Sequence, residues 1–191
     1  MLAAGISCVA CEPGCGESHP YQLRLHVERK SDCHAYEGIV AQAVEIWSTH
    51  GVDAFEYEGC DIHQFAADPI FSWSPGEIAY TDDLMLYNDH VPIYVVEWIL
   101  LDQDGSISEL RGATIPSETV GCPGLIAVDL ANVGLMAHEF GHLLWLGHDD
   151  TYSNVMYPSQ WPKDTDGITV RRDQVEEAIY NFDLCNRRTQ Q

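Results

Sequence analysis

Residues 138–148 read HEFGHLLWLGH, and this stretch organises the reading of the whole 191-residue chain. It closes an apolar run, Ala131 to Trp145, whose length and composition predict a largely buried helix. Residues four apart on a helix lie one above the other, so His138 and His142 are expected to present imidazoles on one face, within reach of one metal ion. Neutral imidazoles suit Zn²⁺. Glu139, next to the first of them, can reach a water on that ion without being a ligand, which is the placement of a general base. His148 follows His142 by six residues, beyond Gly147, a residue able to end the helix and let the chain swing back under the metal. Three protein ligands and one water describe an open, catalytic site rather than a closed structural one. With 9 His in the chain, chance placement of this pattern is expected on the order of once in a thousand such chains. The chemistry such a site supports is amide hydrolysis, with Glu139 taking a proton from the water and passing it to the leaving amine.

Around this motif the chain alternates strands and helices. Tyr21 to Glu28 alternates apolar and polar residues, the period of a half-buried strand. Ile39, Val40, Ala43, Val44 and Trp47 recur at helical spacing and predict a helix from Asp32 to Thr49, ended by Gly51. Val52 to Glu58 and Glu77 to Thr81 are strand candidates, and Val91 to Leu101 reads as one long β-rich run closed by a hairpin turn at Asp104-Gly105. A Gly/Pro-rich connection follows, then a short strand at Leu125 to Asp129. A last helix is expected from Val170 to Leu184, with Thr169 as its cap and Val175, Ala178, Ile179 and Phe182 on its apolar face. The fold class is therefore α+β with a mixed sheet, in one domain spanning 21–191 behind a Cys/Gly/Pro-rich tail at 1–20.

Composition excludes several functions. The chain is 46% hydrophobic, with 30 Asp and Glu against 9 Lys and Arg for a formal net charge of -21. A surface this acidic repels phosphate backbones, so nucleic acid is not an expected partner. The longest apolar run, Gly124 to Ala137, is interrupted by Asp129 and Asn132 and falls short of a membrane span. Met1 to Ala10 is apolar without the basic region of a signal peptide, and reads as a trimmed remnant of one, the edge of the chain, or the start of a pro-segment. The 7 Cys are not spaced as paired zinc knuckles, and point to a secreted, disulfide-bearing protein.

The motif His138 to His148 followed by Asn154-Val155-Met156-Tyr157-Pro158 resembles the metzincin zinc peptidases, and Met156-Tyr157-Pro158 is most similar to the matrixin branch. The resemblance implies a twisted mixed sheet with a backing helix and an active-site helix, a cleft across the front, and a small C-terminal subdomain ending in a helix. It implies that His138, His142 and His148 bind zinc, that Glu139 is the base, that Met156 lies beneath the metal in a tight turn, and that the substrate is a protein or peptide. The tract Tyr157 to Asp166 would wall the pocket for the residue after the scissile bond. The enzyme is expected to act as a monomer.

The sequence departs from the family at one position. Where the family has Gly, three residues after the second His, this chain has Trp145. Either Trp145 takes a positive φ, at a cost of about 1–2 kcal/mol, or the helix continues and Gly147 makes the bend. Asp149 and Asp150 are then alternative carboxylate third ligands, as are Glu176 and Glu177 for another metallopeptidase class. An inactive zinc-binding homologue acting as a binding module is the other class of reading, and the presence of Glu139 speaks against it. Cys15-Gly16 after Pro13 loosely matches the thiolate that blocks zinc in matrixin pro-segments, though its flanking residues do not, and a disulfide is the simpler role. Asp102-x-Asp104-Gly105 reads as a hairpin tip rather than a calcium loop. Asp61-x-His63 and His90 do not have the spacing of a structural zinc site, and His19, His26, His34 and His50 read as surface or satisfied side chains.

Overall fold

The structure, a computed structural model, describes residues 19–64, 70–74, 77–79, 90–96, 99–103, 106–115, 124–128, 132–158 and 167–189. In chain order the elements are β1 (Tyr21–Val27), α1 (Lys30–Thr49), β2 (Phe55–Ile62), β3 (Ile70–Ser74), β4 (Glu77–Ala79), β5 (Val91–Val95), β6 (Ile99–Gln103), β7 (Ser106–Leu110), β8 (Gly112–Ile115), β9 (Leu125–Val128), α2 (Val133–Leu143) and α3 (Arg172–Thr189). The architecture is α+β and mixed.

One sheet has the order β2-β1-β5-β9-β8. Its first four strands are parallel, and β8 runs antiparallel to β9 at the edge. Parallel strands are covered on both faces, so their sequences lose the alternation of half-buried strands. All five residues of β5 are buried, and in β1 His26 is as inaccessible as the apolar Leu23, Leu25 and Val27. A second sheet has the order β4-β3-β6-β7, with β3 and β6 parallel and the other pairs antiparallel.

The run Val91 to Leu101 is therefore not one strand. It divides into β5 and β6, which belong to different sheets, a break that a uniformly apolar stretch does not signal. Asp104-Gly105 lies outside the described residues, but Gln103 and Ser106 on either side of it are paired, as a hairpin requires. The Gly/Pro-rich connection expected after that hairpin contains β8, whose residues Gly112-Ala113-Thr114-Ile115 are too few to show a period. The strand β3 likewise has no sequence signal.

The helix α1 connects the parallel strands β1 and β2, and Val40, Ala43 and Trp47 on one face of it are fully buried. Its partner is α2. The Trp47 indole Nε1–H donates to Ala137 O at 2.9 Å, tying the two helices at the level of the motif. Asn132 caps α2, its Oδ1 accepting the Leu135 N–H at 2.8 Å. A disulfide between Cys33 and Cys60 pins α1 to β2, and Cys185 on α3 is disulfide-bonded as well.

The last helix differs from expectation at its start. Thr169 does not cap it. Thr169 instead bridges to Asn154, with Val155 N–H donating to Thr169 O and Thr169 N–H to Ser153 O, both at 2.8 Å. The buried stripe of α3 is Ala178, Phe182 and Cys185, with Val175 partly covered, while Ile179 is exposed. Phe182 meets Tyr21 edge to face at 5.0 Å. The tail at 1–18, Cys122 and most of the tract 157–166 lie outside the described residues, and no helix among those described is long and apolar enough to cross a membrane.

Candidate metal centre

The helix α2 ends just before Trp145, with Leu144 as its last, half-helical residue. Leu146 N–H donates to Gly141 O and Trp145 N–H to His142 O, at 3.0 and 2.9 Å, the paired bonds of a Schellman motif with Trp145 in the position that glycine usually takes. Trp145 has φ 62°, the one non-glycine in the left-handed region among the described residues. Of the two expected routes to His148, the chain takes the strained one. Gly147 does not adopt a positive φ and makes no bend.

This turn brings the third imidazole back to the other two. His142 Nε2 stands 3.0 Å from His138 Nε2 and 3.2 Å from His148 Nε2. The tautomers of the first two rings are set from behind: His138 Nδ1–H donates to Val155 O and His142 Nδ1–H to Leu146 O, each at 2.9 Å. With Nδ1 protonated, both Nε2 atoms carry bare lone pairs. Two lone pairs facing each other at 3.0 Å repel and cannot form a hydrogen bond, unless something positive lies between them. A proton is disfavoured there, because burial, with the neighbouring imidazoles, pushes His138 down to about 3 and His142 down to about 4. A cation meets the need. A tetrahedral ion with metal–nitrogen bonds of about 2.0–2.1 Å separates its ligand atoms by about 3.3–3.4 Å, close to the observed spacing. His138, His142 and His148 form the one group of three or more His, Cys, Asp or Glu able to hold a metal ion among the described residues.

Beneath them Asn154 to Tyr157 form a tight turn, Tyr157 N–H donating to Asn154 O at 3.0 Å, with Met156 fully buried. Gly141 is small for a reason. A Cβ there would overlap the Met156 sulfur and come within 3.1 Å of the Trp47 ring. The thioether thus forms a polarizable floor against the helix that carries the ligands.

Glu139 is 3% exposed and lies against the edge strand β8. Thr114 Oγ1–H donates to its Oε2 at 2.6 Å, and a Cβ on Gly112 would overlap the carboxylate. Burial pushes the carboxyl up to about 7, against the opposing Thr114 bond. A group poised there is half ionised near neutrality, as a general base should be. Neither Thr114 nor Gly112 carried a sequence signal, because both are far from the motif in the chain.

The alternative carboxylates are not at the centre. Asp149 turns to Thr151 and Arg171: its Oδ1 accepts Thr151 N–H at 2.8 Å and its Oδ2 is paired with Arg171. Thr151 first, and Arg171 with it, hold the Asp149 carboxyl below its ordinary range. Asp150 is exposed, as is Glu177, and Glu176 pairs with Arg172 on the outer face of α3. His63 and His90, whose spacing in the sequence is not that of a structural zinc site, gather around the buried His26, which lies 5.9 Å from His63, 5.7 Å from His90 and 5.0 Å from Tyr94 between ring centroids. Their nitrogens do not meet the spacing of a metal group. No protein-family model matches the chain, and no curated protein matches it.

Proposed function

We propose that this protein is a zinc-dependent endopeptidase of the metzincin kind, closest to the matrixin branch, acting outside the cell on protein or peptide substrates. The observation that carries the reading is the convergence of the three Nε2 atoms of His138, His142 and His148, with Glu139 one residue along the same helix from His138. Three nitrogen ligands leave a fourth position open, the mark of catalytic zinc. Zn²⁺ bound there would lower the pKa of a water to about 7 and polarise a substrate carbonyl.

The remaining chemistry belongs to the chain. Glu139 takes the proton as the water oxygen bonds to the carbonyl carbon, and returns it to the amide nitrogen as the C–N bond breaks. Thr114 holds one of its oxygens still, leaving the other to carry the proton. The buried Met156 and the carbonyls of Val155 and Leu146 keep the imidazoles in place. The disulfide Cys33–Cys60 agrees with an oxidising, extracellular setting.

Glu139→Ala tests this directly. The variant should retain about one Zn²⁺ and lose roughly 10²- to 10⁴-fold in turnover of a denatured protein substrate. Chelation of the wild type should abolish activity and Zn²⁺ restore it. Cleavage that survives exhaustive chelation would overturn the proposal.

A further inference from the structure

The segment carrying His148 is held differently from the helix carrying the other two ligands. His148 is exposed, and its Nδ1 has no hydrogen bond among the described residues, whereas the Nδ1 atoms of His138 and His142 are each fixed by a carbonyl. Its place is set through the backbone, and the next residue is tied at three points. Asp149 N–H donates to Met156 O at 2.8 Å, Oδ1 accepts from Thr151 N–H, and Oδ2 is gripped by Arg171 Nη1.

Arg171 is itself oriented before it reaches Asp149. Its Nε and Nη2 donate to the two oxygens of Asp173 at 3.0 and 2.9 Å, and its backbone N–H donates to Gln174 Oε1 at 3.0 Å. A planar fork held on one edge has its remaining Nη1 aimed in one direction. Gln174 also forms a reciprocal amide pair with the fully buried Asn154, at 2.8 and 3.1 Å, and Asn154 Oδ1 accepts Met156 N–H at 2.8 Å. Both ends of the segment 149–156 are therefore fastened to the start of α3.

We propose that Arg171 is a positioning residue for the third ligand, acting through Asp149, so that the C-terminal helix sets the metal affinity of the centre. This rests on the reading of His138, His142 and His148 as ligands. The test is competition for Zn²⁺ between the full chain and a chromophoric chelator, with His148→Ala as the reference for a lost ligand. Arg171→Met and Asp149→Asn should each weaken Zn²⁺ binding about 10- to 100-fold, and the double variant should be no weaker than the more affected single one. Arg171→Lys should recover part of the loss, and Arg172→Met, whose side chain pairs with exposed Glu176, should bind Zn²⁺ as the wild type does. The visible spectrum of bound Co²⁺ should shift in Arg171→Met, which a purely structural role would not cause. If Arg171→Met folds poorly, Asp149→Asn and Arg171→Lys carry the same test. Wild-type affinity in Arg171→Met alongside its loss in His148→Ala would overturn the positioning role alone. Wild-type affinity in both His148→Ala and His138→Ala would overturn the metal centre itself.

Discussion

Trp145 sits at φ 62°, 42% exposed, where a glycine would carry no steric cost. A non-glycine residue in that region stores about 1–2 kcal/mol, against the extra unfolded-state entropy of about 0.5–1 kcal/mol that glycine brings. The steric term is the larger and the side chain is only part-packed. Trp145→Gly should therefore be neutral to stabilising by up to about 1 kcal/mol in chemical denaturation, with Zn²⁺ binding kept. Gly147→Ala should be silent, within about 0.5 kcal/mol, since an added Cβ meets nothing within 4 Å. Serious damage from Gly147→Ala, with none relieved by Trp145→Gly, would show that the bend lies at Gly147. The motif's spacing was legible at this scale, but the choice between the two bends was not, because it depends on how Leu144 and Leu146 are buried on either side of the turn.

At the scale of elements, α1 is fixed to its surroundings at both ends. Trp47 ties its last turns to α2, and the Cys33–Cys60 bridge ties its first turns to β2. The bridge joins cysteines 27 residues apart, for which restriction of the unfolded chain contributes about 3.5 kcal/mol. Cys33→Ser with Cys60→Ser should lower stability by about that amount in urea denaturation while leaving Zn²⁺ binding intact, because neither cysteine approaches the centre. An unchanged midpoint would show that the bridge adds nothing to the stability of the fold. Helices were legible because their apolar period is long enough to count. Short strands such as β8 were not, and β8 supplies the Thr114 hydroxyl that meets Glu139.

For the molecule as a whole, buried imidazoles make stability depend on pH. His26 is 3% exposed, and burial first, with His90 and His63 beside it, pushes it down to about 4 despite the opposing pull of Asp61. Its folded pKa is below its unfolded value near 6.5, so the unfolded chain binds the extra proton. The contribution is fully present above about pH 6.5 and is lost as pH falls toward about 4. Allowing for the solvent that reaches its neighbourhood, it amounts to about 1–2 kcal/mol. Carboxylates titrate near 4, so relief of the net charge of -21 enters only at the lower end of that window. Denaturation midpoints measured from pH 7 to pH 5 should fall in the wild type and fall less steeply in His26→Gln. Parallel slopes would mean that His26 is not the group responsible.

The amino-acid sequence alone picks out His138, His142, His148 and Glu139 as the candidate centre, since the four-residue step of a helix places His138 and His142 together whatever surrounds them. It determined the order of the principal helices and of the long strands, through periods that local burial imposes. The division of Val91 to Leu101 between two sheets, the gathering of His63 and His90 around His26, and the union of Arg171 with Asp149 and of Gln174 with Asn154 arise only once the chain is folded. Those pairings join residues 20 or more positions apart, or strands that are neighbours only in space. Such contacts leave no period in the chain, because what selects them is the shared burial of polar groups that must find partners once water is gone.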